Sequence, residues 1–232
     1  MQLSDIIPWG RDFDEYSAMF ALSEQDLHKH ILGCGDGPAS FNAEATALGV
    51  HVISVDPIYE YSASDIESRV VATFETVMSQ ARAQADRYCW DRFANPDVLG
   101  VARLEAMRRF IADYERGKHA NRYIAGSLPH LPFRDASFDL GLCSHLLFLY
   151  SDHLSFDQHV AAARELLRVA GDVRLFPLLT LSGVVSPYLL PLSDILRREG
   201  HAVDEIRVDY EFMRGGNAML RIRRHPSLSS AI

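Results

Sequence analysis

The stretch HILGCGDGPASFNAEATALGVHVISVDPIY, His30 to Tyr59, decides how the chain is read. A short apolar strand opens it, and the backbone then turns on Gly33, Gly35 and Gly37. An amphipathic helix over Ala39 to Leu48 follows, stopped by Gly49, before a second apolar strand ends in Asp56. Glycines let a backbone turn tightly and approach a ligand without Cβ obstruction. Pro38 suits a first helical turn, where its missing N–H has no intrahelical partner to lose. Val50 to Val55 is β-branched and strand-like. Ligands of open α/β sheets bind at the carboxyl ends of strands, and an acid about 20 residues past a glycine turn can hold a ribose diol. The unit predicts an adenosine-type ligand.

The glycine register narrows the choice. A dinucleotide fingerprint G-x-G-x-x-G needs its third glycine at position 38, where the chain has Pro38. The spacing is G-x-G-x-G, and no P-loop Lys-Ser/Thr follows. A diphosphate would find neither the close-packing glycine nor a lysine. On these residues alone, a plain αβ corner with glycines at a tight turn stays open beside the ligand reading.

Composition sets the class. A chain of 232 residues that is 48% hydrophobic and 23% charged has room for one ordinary α/β domain and a real core. A net charge of −8, with Lys29 and Lys118 the only lysines, argues against a nucleic-acid partner, which needs clustered cations. Cys34, Cys89 and Cys143 are widely spaced and odd in number, so neither a disulfide framework nor a metal-binding pair is expected. Met1 to Gly10 lacks the pattern of a signal peptide, and the apolar runs are strand-length. A cytoplasmic protein without membrane or metal partners is the expectation. The oligomeric state stays open, a homodimer among the options.

In residues 1–29, Trp9-Gly10-Arg11 is followed by Asp14, Glu15, Tyr16, Met19, Phe20 and Leu22 at helical spacing, which predicts a helix covering the sheet edge or a lid with Arg11 and Tyr16 facing inward. After Asp56-Pro57 the chain delays its third strand. Residues 60–120 are helix-rich, with stripes at Ile66, Val70, Phe74, Val77 and Met78 and at Leu104, Met107, Phe110, Ile111 and Tyr114. Crossovers are usually short, so this is read as a helical insertion. An aromatic break from Tyr88 to a proline stop at Pro96 separates the stripes. Packing accounts for the stripes, with Tyr88, Trp90 or Phe93 as the alternative pocket lining. The third strand, Arg122 to Ala125, opens into GSLPHLPFRDASFDL, Gly126 to Leu140. A fourth strand, Phe138 to Cys143, ends at Ser144-His145. A helix ending near Gly171, a fifth strand from Asp172 to Pro177, a helix from Pro187 to Arg198 and two strands, Ala202–Val208 and Ala218–Arg223, complete the chain. Gly215-Gly216 joins the last pair as a hairpin signal. The tail from His225 carries no element.

The glycine turn, Asp56 and the LPF-x-D-x-SFD segment (Leu131 to Asp139) together resemble the class I S-adenosylmethionine (SAM) dependent methyltransferases over about Leu27 to Arg223. More narrowly, ILGCGDGPASFNAEA, CSHLLFLYS and YEF-x-RGGN-x-ML are similar to segments of an uncharacterised bacterial group of such enzymes. The resemblance implies a Rossmann-like, doubly wound α/β fold in a single domain: a mainly parallel sheet, a C-terminal antiparallel hairpin, and the helical insertion between strands 2 and 3. It implies SAM as cofactor, held by Gly33, Cys34, Gly35, Gly37, Asp56, Pro57, Ser127, Leu128 and Ser144. Many members carry an acid just before the glycine turn. Here Ile31 or Gly33 stands there, and Ser127 replaces a common aspartate of the adenine loop, so methionine-end binding falls to backbone groups and other side chains.

Methyl transfer from a sulfonium is an in-line displacement in which alignment within about 3–3.5 Å supplies much of the rate. His145, leaving the fourth strand beside the ligand edge, is the candidate base, since imidazole titrates near neutrality; a structural or pocket-wall histidine is the alternative. Tyr150, Asp152 and His153 are lesser candidates. Arg11, Tyr16 and Arg214 can orient an anionic small-molecule substrate, together with Tyr150. His28 and His30 share a strand face by alternation, with no further metal ligand near. Three functions are weighed: methyl transfer to a small molecule, a SAM-fold protein without transferase activity, and, least, a nicotinamide-dependent oxidoreductase.

Overall fold

The structure, a computed structural model, describes residues 9–224; the tail from His225 and most of the segment read for a signal peptide lie outside the described residues. Seven strands form one mixed sheet: β1 (His30–Cys34), β2 (His51–Val55), β3 (Tyr123–Ile124), β4 (Phe138–Ser144), β5 (Ala170–Phe176), β6 (Ala202–Arg207) and β7 (Ala218–Arg223). Their spatial order is β3-β2-β1-β4-β5-β7-β6. The first five run parallel, and β7 lies antiparallel between β5 and β6. The order reverses between β1 and β4, so the crevice of a doubly wound sheet opens at their carboxyl ends.

The helices are α1 (Phe13–Met19), α2 (Phe41–Ala47), α3 (Ala63–Ala83), α4 (Pro96–His119), α5 (Phe156–Val169) and α6 (Leu189–Arg198). Local chemistry starts them. Asp12, Ser62 and Asn95 each accept a backbone N–H of the first turn of α1, α3 and α4, and Ser155 with Gln158 forms a full capping box on α5. Pro96, read as a stop, instead opens α4 behind the Asn95 cap. Pro38 likewise lies outside the helix it was expected to begin, because α2 starts only at Phe41. His28 ends a 3₁₀ turn, so only His30 belongs to β1, and the two do not share a strand face.

One apolar core lies between the sheet and α5 and α6, around Leu32, Val173, Leu166, Leu192 and Ile222. A second joins Ile31, Leu140 and Leu142 to Phe41 of α2 and to Tyr16, Met19 and Phe20 of the N-terminal segment. A third, around Tyr59, Phe110, Tyr114 and Tyr123, packs the insertion helices against the β2–β3 edge. The loop between α3 and α4 crosses back over the carboxyl ends of the strands. Cys89 N donates to Phe212 O at 2.7 Å, Arg214 N donates to Arg87 O at 3.0 Å, and the rings of Tyr88 and Phe212 stack at 4.6 Å. The insertion and the β6–β7 loop thereby make one roof. Among the described residues no helix is long and apolar enough to cross a membrane.

Candidate functional site

A cavity of about 540 Å³ opens between this roof and the carboxyl ends of the strands. That volume is within the range of sites for small organic ligands. The glycine turn forms part of its wall, and two of its glycines are required by geometry. Gly35 has φ +71°, and a Cβ there would meet Leu146 at 2.7 Å. At Gly33 a Cβ would lie 1.9 Å from a carboxylate oxygen of Asp36, so the strand end is bare because the turn folds its own acid back over it.

Asp36 is buried, 6% exposed, and lines the cavity. Its Oδ1 accepts from the Tyr16 hydroxyl at 2.8 Å and its Oδ2 from the Ser54 hydroxyl at 2.6 Å. Burial raises its pKa to about 7; the two hydroxyl bonds pull the other way, and the nearby Asp56 charge adds to the rise. Asp56 is the second acid of the wall. Its Oδ2 accepts from Gly37 N and its Oδ1 from Ile58 N, both at 2.9 Å. Burial raises this carboxyl too, against the pull of those two amides. Each Asp56 oxygen keeps a lone pair beyond its amide bond. Tyr59 donates to Gly37 O at 2.8 Å, which fixes the turn to the exit of β2.

Cys34, Gly35, Gly37, Asp56, Pro57, Ser127, Leu128 and Ser144 all line this one cavity, as do Arg11, Tyr16, His145 and Tyr150. Gly33 does not line it, being covered by Asp36. Arg214 does not reach it either. Its Nε donates to Asp86 O at 2.8 Å, so the side chain serves the roof seam from outside. Of the aromatic break only Tyr88 lines the cavity. Trp90 donates its indole N–H to Ala85 O at 2.8 Å, and Phe93 lies under the Arg103 guanidinium at 5.2 Å. Asp152 and His153 are not among the lining residues.

His145 sits where β4 runs out, in the left-handed region at φ +53°, with its N–H donating to Phe176 O. Its Nδ1 and the Ser144 hydroxyl are 2.7 Å apart, and its ring meets Phe176 edge-on at 5.4 Å. Burial, then the Arg11 and Arg103 charges, hold its pKa well below the ordinary imidazole value, so the ring is neutral near pH 7.

Two features of the site were not read from the sequence. One is Asp36, which occupied a spacer position of the glycine turn. The other is a buried ion pair beneath the N-terminal segment. Arg103 of α4 bonds both carboxylate oxygens of Glu15 of α1, with Nη2 to Oε1 at 2.6 Å, and Tyr210 donates to the same Oε1 at 2.7 Å. Burial pushes Glu15 up, but the Arg103 charge and bonds outweigh it and leave its pKa at about 2. The pair fastens the N-terminal helix to the insertion and, through Tyr210, to the β6–β7 loop.

The geometry fits an adenosine-bearing ligand: a bare glycine turn, a carboxylate at the end of β2 and a loop at Ser127-Leu128 face a common space. Residues 82–172 match the family model described as a methyltransferase domain. The chain is 34% identical over 225 residues, covering 97% of its own length and 99% of the relative's, to the uncharacterized protein MJ0045 of Methanocaldococcus jannaschii, so an archaeal relative stands beside the bacterial group of the sequence reading. Among solved structures it is similar to magnesium protoporphyrin IX methyltransferase of Synechocystis PCC 6803 with bound SAM (13% identity, 85% of this chain and 70% of that one, TM-score 0.45). It is also similar to mitomycin 7-O-methyltransferase (15% identity, 92% and 54%, TM-score 0.48). The chain belongs to one family with its archaeal relative, and its residues 82–172 match a methyltransferase domain.

Proposed function

We propose that the protein transfers a methyl group to a small-molecule acceptor, with cofactor and acceptor side by side in the single cavity at the β1–β4 crevice. The observation that carries this reading is the continuity of that cavity. One wall is the polar set of Gly35, Gly37, Asp56 and Ser127, and another is the apolar set of Tyr88, Leu149, Leu181, Phe212 and Met213 under the roof. In this reading Asp56 accepts from the ribose diol while its other lone pairs hold the turn amides. Ile58, Ser127 and Leu128 flank the adenine.

The cofactor supplies an electrophilic methyl group on sulfur. The chain's part is to align the acceptor and keep water out, which is worth several kcal/mol at a well-held contact distance. Leu149, Leu181 and Met213 pack together beside the cavity, so the acceptor's body is apolar. His145, neutral and hydrogen-bonded to Ser144, presents an imidazole at the strand end; it can receive a proton from an acceptor O–H or N–H where one must leave. Its depressed pKa makes it a weak base, suited to orienting an acceptor hydrogen as the new bond forms.

Incubation with isotopically labelled SAM and a metabolite pool tests the reading. Label must appear in a small organic product, and S-adenosylhomocysteine (SAH) must bind in calorimetry while NAD does not. Label confined to macromolecules, or none with SAH bound, would overturn the small-molecule assignment.

A further inference from the structure

A line of hydrogen bonds runs behind the cavity wall from the end of β4 to the glycine turn. His145 Nδ1 lies 2.7 Å from the Ser144 hydroxyl, and that hydroxyl also bonds Tyr16. Tyr16 donates to Asp36 Oδ1 at 2.8 Å. Ser144, Tyr16 and Asp36 are all buried. The proton count fixes the direction of the line. Tyr16 has one hydroxyl proton, and Asp36 takes it, so the Tyr16 oxygen accepts from Ser144. The Met19 sulfur, 4.0 Å from the same serine, is the weaker acceptor. With its single proton committed, Ser144 has only a lone pair for His145, and Nδ1 must carry the hydrogen of the neutral ring. Nε2, which makes no hydrogen bond among the described residues, is left as the basic nitrogen of a side chain that lines the cavity.

The two ends of the line differ in what they do with a proton. A ring that took one at Nε2 and kept the one at Nδ1 would become an imidazolium, which burial and the Arg11 and Arg103 charges oppose. Asp36 is the reverse case. It accepts from the neutral hydroxyls of Tyr16 and Ser54, and no cation among the described residues pairs with it. The other titratable groups that feel it are Asp56, Tyr59 and Cys34, and none of these carries positive charge. Burial raises its pKa to about 7, so a proton is unwelcome at His145 and stable at Asp36. Tyr16 is held well above its ordinary pKa, again by burial first, so it can hand a proton on without resting as a phenolate.

We propose that His145, Ser144, Tyr16 and Asp36 form a proton relay that carries a proton from the acceptor to the glycine turn. This rests on the acceptor facing His145, as in the preceding section, and it narrows the acceptor to one whose O–H or N–H must be lost. Four protons move together. The acceptor proton passes to Nε2, the Nδ1 proton to Ser144 Oγ, the Ser144 proton to Tyr16 Oη and the Tyr16 proton to Asp36 Oδ1. His145 ends neutral with its hydrogen on the other nitrogen, both hydroxyls are restored, and Asp36 ends neutral. The negative charge has moved from Asp36 to the acceptor atom, and no imidazolium forms on the way. The relay is ready when Asp36 is ionised, above about pH 7.

Nitrogen NMR of the full chain with isotopically labelled histidine reads the relay without any substrate. The ligand-free wild type at pH 8 is expected to show a neutral His145 ring with its hydrogen on Nδ1. Lowering the pH through about 7 puts a proton on Asp36 and weakens its hold on Tyr16. The population should then swing toward the Nε2–H form by about three- to tenfold, the worth of one hydrogen bond, while the ring stays neutral. Asp36→Asn keeps an acceptor oxygen for Tyr16, so the Nδ1–H form should persist but lose that pH dependence. Tyr16→Phe keeps the ring stacked on Phe41 and cuts the line beyond Ser144; the tautomer preference and its titration should both disappear. Neither residue bonds His145, so a merely structural role would leave its spectrum unmoved. A wild-type ring with its hydrogen on Nε2 at pH 8, or a midpoint near pH 7 that survives in Asp36→Asn, overturns the relay. Failure of the wild type to bind SAH in calorimetry would defeat the methyl-transfer reading instead, and the ligand-free spectra judge the relay on their own.

Discussion

The Tyr16 hydroxyl donates to Asp36 Oδ1 at 2.8 Å, joining the N-terminal helix to the glycine turn across 20 residues. Among the described residues that bond and the one from Ser54 are the hydrogen bonds to a carboxylate taken out of water, and burial outweighs them. The folded protein therefore keeps a proton on Asp36 up to about pH 7, whereas the unfolded chain loses it near pH 4. The native state binds more protons between those values, so stability falls as pH rises through them and levels off above about 7. Asp36→Asn removes the loss. In chemical denaturation without ligand it should be more stable than wild type at pH 8, by at most roughly 4 kcal/mol, with the gap closing toward pH 4. A variant less stable at pH 8 would mean that Asp36 is a structural acid.

Asp56 behaves differently in kind. It clips Gly37 N and Ile58 N, so it shapes the turn as well as facing the cavity. Asp56→Ala should weaken SAH and methylthioadenosine alike, by roughly 1.5–3 kcal/mol, because both carry the ribose. Calorimetry with the two nucleosides checks this. A loss confined to SAH would remove Asp56 from the sugar.

Gly33 is bare because Asp36 occupies the place of its Cβ. Gly33→Ala forces the carboxylate out and breaks its bonds to Tyr16 and Ser54. Overpacking of this kind costs about 1–3 kcal/mol, and Asp36→Gly in the same chain should restore part of it. A double-mutant cycle in denaturant measures the coupling; additive effects would mean the clash is relieved elsewhere.

The parallel sheet, the insertion and the C-terminal hairpin were legible because apolar periodicity and glycine punctuation are local signals. Boundaries shifted at the prolines: α2 starts only at Phe41, past Pro38, and Pro96 opens α4 behind the Asn95 cap in place of stopping a helix. The cavity wall was legible as far as the turn and Asp56. Asp36 was not, because a G-x-G-x-G reading treats the spacers as passive, although an acid flanked by two glycines is free to fold back. Arg103 was hidden on a helical stripe, since its burial depends on Glu15, 88 residues away. Arg214 misled for the same reason. A loop arginine looks like a substrate anchor until the insertion is seen resting on it.

His145 is held neutral by burial and by the two arginines. Nitrogen-detected NMR of the imidazole should show the neutral form at pH 6.5, where an ordinary histidine is half protonated. Arg11→Gln removes one of the cations that depress it and should move the midpoint upward. A wild-type ring already half charged at pH 6.5 would return His145 to the rank of an ordinary solvated histidine and weaken its placement beside the transferred methyl.

The Glu15–Arg103 pair ties three parts of the chain together, and both members are about 1% exposed. Removing one partner strands the other, which costs about 3–5 kcal/mol. Glu15→Ala should approach that value, with Tyr210 also losing its acceptor. The pH sign is opposite to that of Asp36. Glu15 is depressed from 4.5 to about 2 in the folded state, so its contribution is complete above pH 4.5 and is lost as pH falls toward 2. Wild type should lose stability over that window, and Glu15→Gln should lose less. Replacing both members with apolar residues of similar volume, Glu15→Leu with Arg103→Met, should recover most of the single-variant loss, because no buried charge is then unpaired. Denaturation of the single and double variants at pH 7 gives the answer. A double variant as unstable as Glu15→Ala would show that the pair's packing, and not its charge balance, holds the N-terminal helix over the cavity.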